Sequence, residues 1–181
     1  MGREPYTIIA REAQDYYSSL SIVPAKWVQP VMSYTRILVG YDGSEASKKA
    51  VMKAVSLARS LGAKVTVATV LPPPVVFLGE LMVPETVDIK SLEEPAKKEL
   101  EKLVTEIKET NGVEADYAIL MGDPAEELVS YAEENNYDLI VVGRRGRGGL
   151  ERLILGSVSS KVVSISKNVD VLVVETRKEA K

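Results

Sequence analysis

The sequence lacks two residue types that carry much of enzyme chemistry. Its 181 residues include no cysteine and no histidine. Without cysteine there are no disulfides, thiolate nucleophiles or thiolate metal sites. Without histidine the commonest general base and the commonest transition-metal ligand are missing, and so is any Ser-His-Asp triad. A metal ion bound by this chain would have oxygen ligands, which favours Mg²⁺ or Mn²⁺.

Long apolar runs and an excess of positive charge are also missing. No apolar stretch approaches the roughly 18 residues that a membrane-spanning helix needs. The formal net charge of −3 argues against a general nucleic-acid binder, which needs a basic face to displace counterions. The first residues match neither a secretory signal nor a myristoylation pattern. We therefore predict a cytoplasmic protein with no nucleic-acid and no membrane partner.

From residue 36 onward, strand and helix signals alternate along the chain. Five short apolar runs lack two-residue alternation, as is typical of strands buried on both faces, and four segments with helical periodicity follow the first four of them. Asp123 and Pro124 have the residue types of a helix N-cap and first position. This pattern predicts an α/β domain with a five-stranded parallel, doubly wound sheet. The predicted strands are 36–41, 64–71, 113–121, 138–142 and 169–175.

Residues 1–34 precede the first predicted strand. They contain the only tryptophan, Trp27, and four of the eight tyrosines, and apolar residues recur at helical spacing between Tyr6 and Leu20. Because disordered tails are usually poor in aromatic residues, we predict a helical N-terminal extension over 1–34 that packs on its own domain or on a second subunit. A tail ordered only by a partner is the alternative. Residues 35–177 form the predicted α/β domain.

Residues 72–91 form a long connection between the second predicted strand and the next helix. This stretch holds three consecutive prolines and several apolar residues. Loops of this length inside compact domains are usually functional or disordered. We expect either a lid or partner contact, or a mobile surface loop.

A glycine- and arginine-rich run follows the fourth predicted strand. Its glycines have the pattern G-x-x-G, nine residues, G-S. Glycines directly after a strand let the backbone turn and approach a ligand closely. The helix that begins at Gly156-Ser157 offers free N–H groups and a positive dipole end to a phosphate, and the Ser157 and Ser159 hydroxyls could add donors. The pattern is neither the P-loop nor the dinucleotide fingerprint. It favours a phosphate site, although Ser157 could simply cap the helix and any one glycine could simply turn the chain.

Four stretches of the chain resemble the universal stress protein family, in its ATP-binding branch. They are ILVGYDGS at 37–44, LMGDP at 120–124, DLIVVG at 138–143 and the glycine-serine run, and the resemblance covers about residues 34–176. It implies strand order 3-2-1-4-5, the adenine-nucleotide α-hydrolase-like fold, with ATP and Mg²⁺ or Mn²⁺ bound between strands 1 and 4. It also implies a homodimer.

The resemblance implies a set of nucleotide-binding residues. Residues 40–44, after the first strand, would line the adenosine, and the backbone of Val70, at the end of the second strand, would meet adenine. Residues 142–149 and 156–159 would hold the ribose and the phosphates. Asp42 would also serve the metal. The arginines could clamp phosphates or remain solvated, and a Gly143→Asp change is expected to abolish binding. In order, the set is Gly40, Tyr41, Asp42, Gly43 and Ser44; Val70; Val142, Gly143, Arg144, Arg145, Gly146, Arg147, Gly148 and Gly149; Gly156, Ser157, Val158 and Ser159.

No residue of the sequence stands out as a catalytic base. Asp42 is the only carboxylate placed by motif, and a metal would make better use of it. We therefore predict an ATP-binding stress-response or regulatory protein in which hydrolysis is slow or absent. An ATP hydrolase or nucleotidyl-transfer enzyme of the adenine-binding α/β group is one alternative, and a nucleotide-free protein-interaction module is another.

The fifth predicted strand raises the question of a partner. In the expected order it lies at a sheet edge, and a long apolar edge is a liability unless it is covered. The resemblance implies that two copies meet there, so we predict a homodimer through Val169 to Val174, to which the N-terminal extension could add. The alternative is an edge covered by the protein's own N-terminal helix.

Overall fold

A computed structural model of the protein describes residues 34–73, 75–78, 81–84, 89–144 and 156–175. The chain divides into the units Met1–Ser33 and Tyr34–Lys181, and all described residues belong to the second. The predicted N-terminal helix therefore lies outside the described residues. None of the described helices is long and apolar enough to cross a membrane.

The described elements follow the alternation that the sequence predicts. A five-stranded parallel sheet has the order β5-β2-β1-β6-β7, which confirms the predicted order 3-2-1-4-5. Helices and strands in chain order are β1 (Arg36–Gly40), α1 (Glu45–Leu61), β2 (Lys64–Leu71), β3 (Val75–Leu78), β4 (Leu81–Pro84), α2 (Ile89–Asn111), β5 (Ala115–Met121), α3 (Pro124–Glu134), β6 (Leu139–Gly143), α4 (Ser157–Ile165) and β7 (Asp170–Val174).

Local sequence signals set the ends of the first and third helices. The Ser44 side chain caps α1 by accepting from the backbone N–H of Ser47, and Gly62 ends that helix with a φ of 68°. The Asp123 carboxylate caps α3, and Pro124 occupies its first position. Each cap satisfies backbone groups that a helix end leaves without partners. The start of α3 confirms the predicted N-cap at Asp123 and first position at Pro124.

The long connection after β2 contains a hairpin, so the expectation of a loop was wrong over eight of its residues. β3 and β4 pair antiparallel, with Val75 opposite Pro84 and Leu78 opposite Leu81. Apart from Pro84, the two strands consist of Val, Phe, Leu and Met, residue types that mostly favour strands. Two such runs with a glycine-containing two-residue gap between them are a hairpin signal. The length of the connection had by itself suggested a loop.

The sheet is buried on both faces, as the apolar strands predict. On one face Ile37, Val39 and Val141 pack with the alanines of α1 and with Leu100 of α2. The opposite face buries a separate cluster that includes Leu38, Ala68, Ile140 and Val142 from the sheet, Leu128 from α3 and Val162 from α4.

Asp138 fastens the amino ends of the strands, away from the predicted ligand site. Its carboxylate accepts from the backbone N–H groups of Thr35 at 2.7 Å and Arg36 at 2.8 Å. Partial burial alone would raise the pKa of Asp138, but these hydrogen bonds outweigh it and hold the pKa below its ordinary value. Because the folded-state pKa is the lower one, this contribution to stability is present above the unfolded-state pKa and is lost as the pH falls through the folded-state value.

Candidate functional site at the ends of strands one and four

The carboxyl ends of β1 and β6 lie side by side at the centre of the sheet. The two strands pair in parallel, with Ile37 opposite Leu139 and Val39 opposite Val141. The helix after β1 packs on one face and the helix after β6 packs on the other. Because the chain leaves the two strands in opposite directions, a crevice opens between their ends. The stretches that begin at Gly40 and at Gly143 therefore leave the sheet side by side at the switch point.

The two strand-end glycines allow helices to pack closely. A Cβ built on Gly143 would lie 2.7 Å from the backbone carbon and 2.8 Å from the backbone oxygen of Ala46, in the first turn of α1. A Cβ on Gly40 would lie 3.0 Å from the Leu128 Cδ1 atom, on α3. Both glycines were predicted to leave room for the nucleotide. The geometry gives them a packing role that is independent of any ligand.

The loop after β1 is held in a tight turn that exposes a carboxylate. Gly43 has a φ of 76°, a conformation that only glycine adopts without strain. The Asp42 Oδ1 atom accepts from the Ser44 N–H at 3.0 Å, and the Asp42 side chain is exposed. Asp42 therefore combines a turn-forming role with a position at the mouth of the crevice.

Tyr41 connects the site loop to α2. Its hydroxyl donates to the Glu99 Oε1 atom at 2.7 Å, and its ring packs against the core cluster beneath α1 and α2. Its backbone N–H donates to the Ala68 carbonyl at 2.8 Å. Tyr41 was predicted to line the adenosine side. The ring and hydroxyl are anchored to the protein, so the position of the backbone is what Tyr41 contributes to the site.

The end of β2 extends past the end of β1. Gly40, the last residue of β1, is opposite Ala68, and β2 continues to Leu71. Backbone N–H and C=O groups of alternate strand residues point to the same side. Because the Ala68 carbonyl accepts from Tyr41 on the β1 side, the N–H and C=O of Val70 point to that side as well. There the chain continues beyond β1 as Tyr41, whose carbonyl accepts from the Thr69 hydroxyl.

No side chain caps the start of α4. Gly156 is its N-cap, and its first turn contains no acidic residue. The starts of α1 and α3 differ, since each is capped by a side chain and has glutamate in the first turn. The Ser157 side chain is exposed. The N–H groups of the first turn of α4 have no intrahelical acceptors, and the helix dipole adds positive potential there.

Two hydrogen bonds to one carbonyl hold the start of α4 against the end of β6. The Gly156 N–H donates to the Arg144 carbonyl at 2.7 Å, and the Ser159 hydroxyl donates to the same oxygen at 3.2 Å and to the Gly156 carbonyl at 3.1 Å. Ser159 is only 1% exposed. Its hydroxyl, predicted as a phosphate donor, is thus engaged in orienting the helix.

The described cations near the site are paired with carboxylates. The Arg144 guanidinium pairs with Glu175, just after β7. Lys161 of α4 pairs with Glu126 at 2.8 Å and Asp123 at 3.1 Å, and the hydrogen bonds to those carboxylates, that to Glu126 foremost, raise its pKa. The predicted ligand residues Arg145, Gly146, Arg147, Gly148 and Gly149 lie outside the described residues. Besides these two paired cations, the backbone N–H groups at the start of α4 contribute positive potential to the described part of the site.

Fold and site together define a doubly wound α/β domain whose first and fourth sheet strands, β1 and β6, end side by side at its topological switch point. The universal stress protein family model matches residues 33–175, and the chain belongs to that family. Universal stress protein YxiE of Bacillus subtilis is 38% identical over 140 residues, which cover 74% of this chain and 94% of the relative.

Two solved structures of universal stress proteins also match the chain. One, in complex with cAMP, has a TM-score of 0.60 and 30% identity, and the match covers 80% of this chain and 99% of that one. Another, from Archaeoglobus fulgidus in complex with dAMP, has a TM-score of 0.55 and 25% identity, and covers 78% and 98%.

Proposed function

We propose that this protein binds ATP in the crevice between β1 and β6, with the phosphates at the start of α4. The geometry of that helix start carries the proposal. Its N–H groups are left uncapped by side chains, its first turn has no carboxylate, and two hydrogen bonds to the Arg144 carbonyl fix it in place. Exposed N–H groups with a positive dipole end are the usual backbone site for a phosphate.

The end of β2 supplies the complementary site for the base. The N–H and C=O of Val70 point past the end of β1, and together they offer one donor and one acceptor. The Watson–Crick edge of adenine presents the matching acceptor and amino donor, whereas guanine presents the opposite order. The complexes of two matching universal stress proteins with cAMP and dAMP support an adenine nucleotide as the ligand class.

A divalent cation would have one protein ligand in this arrangement, together with phosphate oxygens and water. The described residues contain no group of three or more acidic side chains that could hold a metal ion by themselves. Mg²⁺ is commonly bound by one or two carboxylates together with substrate phosphates and water. The exposed carboxylate of Asp42, at the mouth of the crevice, would be the protein ligand, and the ion would neutralise phosphate charge.

The proposed role is regulatory, and turnover of ATP would be slow if it occurs. The chain has no histidine, and Asp42 is already used by the turn and the proposed metal. A protein whose site holds nucleotide without a positioned base can report nucleotide binding to a partner through its surface.

The first experiment is to denature the purified protein and to identify any released nucleotide by chromatography. Titration of nucleotide-free protein with ATP and Mg²⁺ by calorimetry follows. We expect bound adenine nucleotide, or saturable binding at micromolar ATP that is weaker for GTP. An absence of both released nucleotide and titration heat would contradict the proposed function and leave a protein-interaction module as the better explanation.

We also propose that two copies of the chain pair along β7. This strand is at the edge of the sheet, and its residues from Val171 to Val174 are only partly buried. Val163 of the adjacent helix α4 is 48% exposed, which extends the apolar surface. Burial of an apolar edge prevents uncontrolled strand pairing.

Analytical ultracentrifugation should give about twice the chain mass of 19.8 kDa, and Val173→Lys should give a monomer. A monomeric wild-type protein in this experiment would refute pairing.

A further inference from the structure

A side-chain hydroxyl interrupts the backbone ladder between β1 and β2 at its last step. The Thr69 Oγ1 atom donates to the Tyr41 carbonyl at 2.9 Å. In a parallel ladder, a residue that donates its N–H to residue j−1 of the neighbouring strand accepts at its carbonyl from residue j+1. Tyr41 donates to Ala68, so continuation of the ladder would place the N–H of Val70 on the Tyr41 carbonyl. Among the backbone hydrogen bonds of the described residues, none joins the Val70 N–H to that carbonyl, which accepts from the Thr69 hydroxyl instead.

We propose that Thr69 is a positioning residue for base recognition, because its hydroxyl keeps the Val70 N–H available to the ligand. The proposal rests on the proposed function, since it assigns the base to the end of β2. With the Tyr41 carbonyl satisfied by Thr69, the Val70 N–H has no backbone acceptor there to compete with the nucleotide. Val70 is only partly buried, so a base that supplies an acceptor replaces water at this N–H and gains a hydrogen bond of defined geometry.

The surrounding contacts favour the Thr69 hydroxyl over the Val70 N–H as the donor to the Tyr41 carbonyl. Tyr41 is held at its N–H by Ala68 and at its hydroxyl by Glu99, so its carbonyl cannot turn away. Thr69 lies within β2, where β-branched side chains have restricted χ1, and its side chain is part-buried. The hydroxyl is therefore held against the carbonyl before any ligand binds.

Three variants test the proposal. Thr69→Val preserves the shape of the side chain and removes the donor, and Thr69→Ser retains the donor. Thr105→Val is the matched control, because Thr105 on α2 also donates its hydroxyl to a backbone carbonyl, that of Glu101, and is exposed. Each protein is titrated with ATP and with inorganic tripolyphosphate, and amide hydrogen exchange is followed at Val70 by NMR without ligand.

We expect Thr69→Val to bind ATP about tenfold more weakly, the effect of losing roughly one hydrogen bond, with tripolyphosphate binding unchanged. The ligand-free Val70 amide should exchange faster than that of Ala68 in the wild type and should become protected in Thr69→Val, because it then bonds to the Tyr41 carbonyl. Thr69→Ser should restore both properties, and Thr105→Val should change neither.

The possible outcomes separate this inference from the proposed function. A Val70 amide as protected as that of Ala68 in the ligand-free wild type overturns the inference, whatever binds. Unchanged ATP affinity in Thr69→Val, with wild-type binding intact, overturns it as well. If the wild type binds no nucleotide, the proposed function fails, and with it the role of Thr69 in base recognition. In that case the exchange pattern still reports whether the hydroxyl displaces the Val70 N–H.

Discussion

Replacement of Ser157 by aspartate should lower the affinity for ATP about 100-fold or more without harming the fold. Ser157 is the exposed first residue of α4, where a carboxylate meets the positive end of the helix dipole. That interaction should raise the free energy of unfolding by about 0.3–1 kcal/mol. The same carboxylate would occupy the proposed phosphate site and repel the nucleotide, and two unit charges about 4 Å apart near a surface interact by roughly 4 kcal/mol. Calorimetric titration and thermal unfolding measure the two effects.

Two matched variants separate charge from position. Ser157→Asn changes the same side chain without adding charge and should bind ATP within about threefold of the wild type, a difference below 1 kcal/mol. Ser164→Asp places the same charge near the other end of α4, also at an exposed residue, and should leave binding unchanged. If Ser157→Asp binds ATP as tightly as Ser157→Asn does, the phosphates do not lie at the start of α4.

Gly143→Ala should lower the free energy of unfolding by about 3 kcal/mol, near the upper end of the usual cost of overpacking. The added methyl carbon would lie 2.7 Å from the backbone carbon of Ala46, and backbone in the first turn of a helix cannot move aside as a side chain can. Either α1 or the end of β6 must shift. Denaturant unfolding of the nucleotide-free protein measures the loss.

Gly40→Ala is the control for this prediction. It adds the same methyl group at the end of the neighbouring strand, but the nearest atom is the Cδ1 end of Leu128, at 3.0 Å. A leucine side chain can adjust, so we expect a cost of about 1 kcal/mol. Equal losses in the two variants would contradict the packing role given to Gly143.

The packing of Gly143 also changes how a binding defect at that position is interpreted. The sequence suggested Gly143→Asp as a test of phosphate binding. Because any Cβ there collides with α1, such a variant would lose affinity through displacement of the loop that α1 follows, even if the phosphates never touched Gly143. Ser157 is the better position, since its side chain is exposed and the charge is added without a change in packing.

The sequence by itself determined the fold class, the strand order implied by the family resemblance, and most helix boundaries. These features depend on signals that act over a few residues. Buried strands are recognisable as apolar runs. Ser44 and Asp123 cap the helices that follow them, and Gly62 ends α1 in a left-handed conformation. Such signals remain readable in sequence because the interacting groups are neighbours along the chain.

Only the tertiary structure decided which of the predicted site residues have exposed side chains and which are engaged in the fold. The residues in these contacts are far apart in the sequence: 28 positions separate Thr69 from Tyr41, and 35 separate Lys161 from Glu126. Gly143, at the end of β6, lies against Ala46 of α1. The motif that marks the site does not distinguish Ser157, which is exposed, from Ser159, which is buried. The roles of these residues depend on close packing and on hydrogen bonds between distant segments, and such contacts exist only after the strands and helices have assembled.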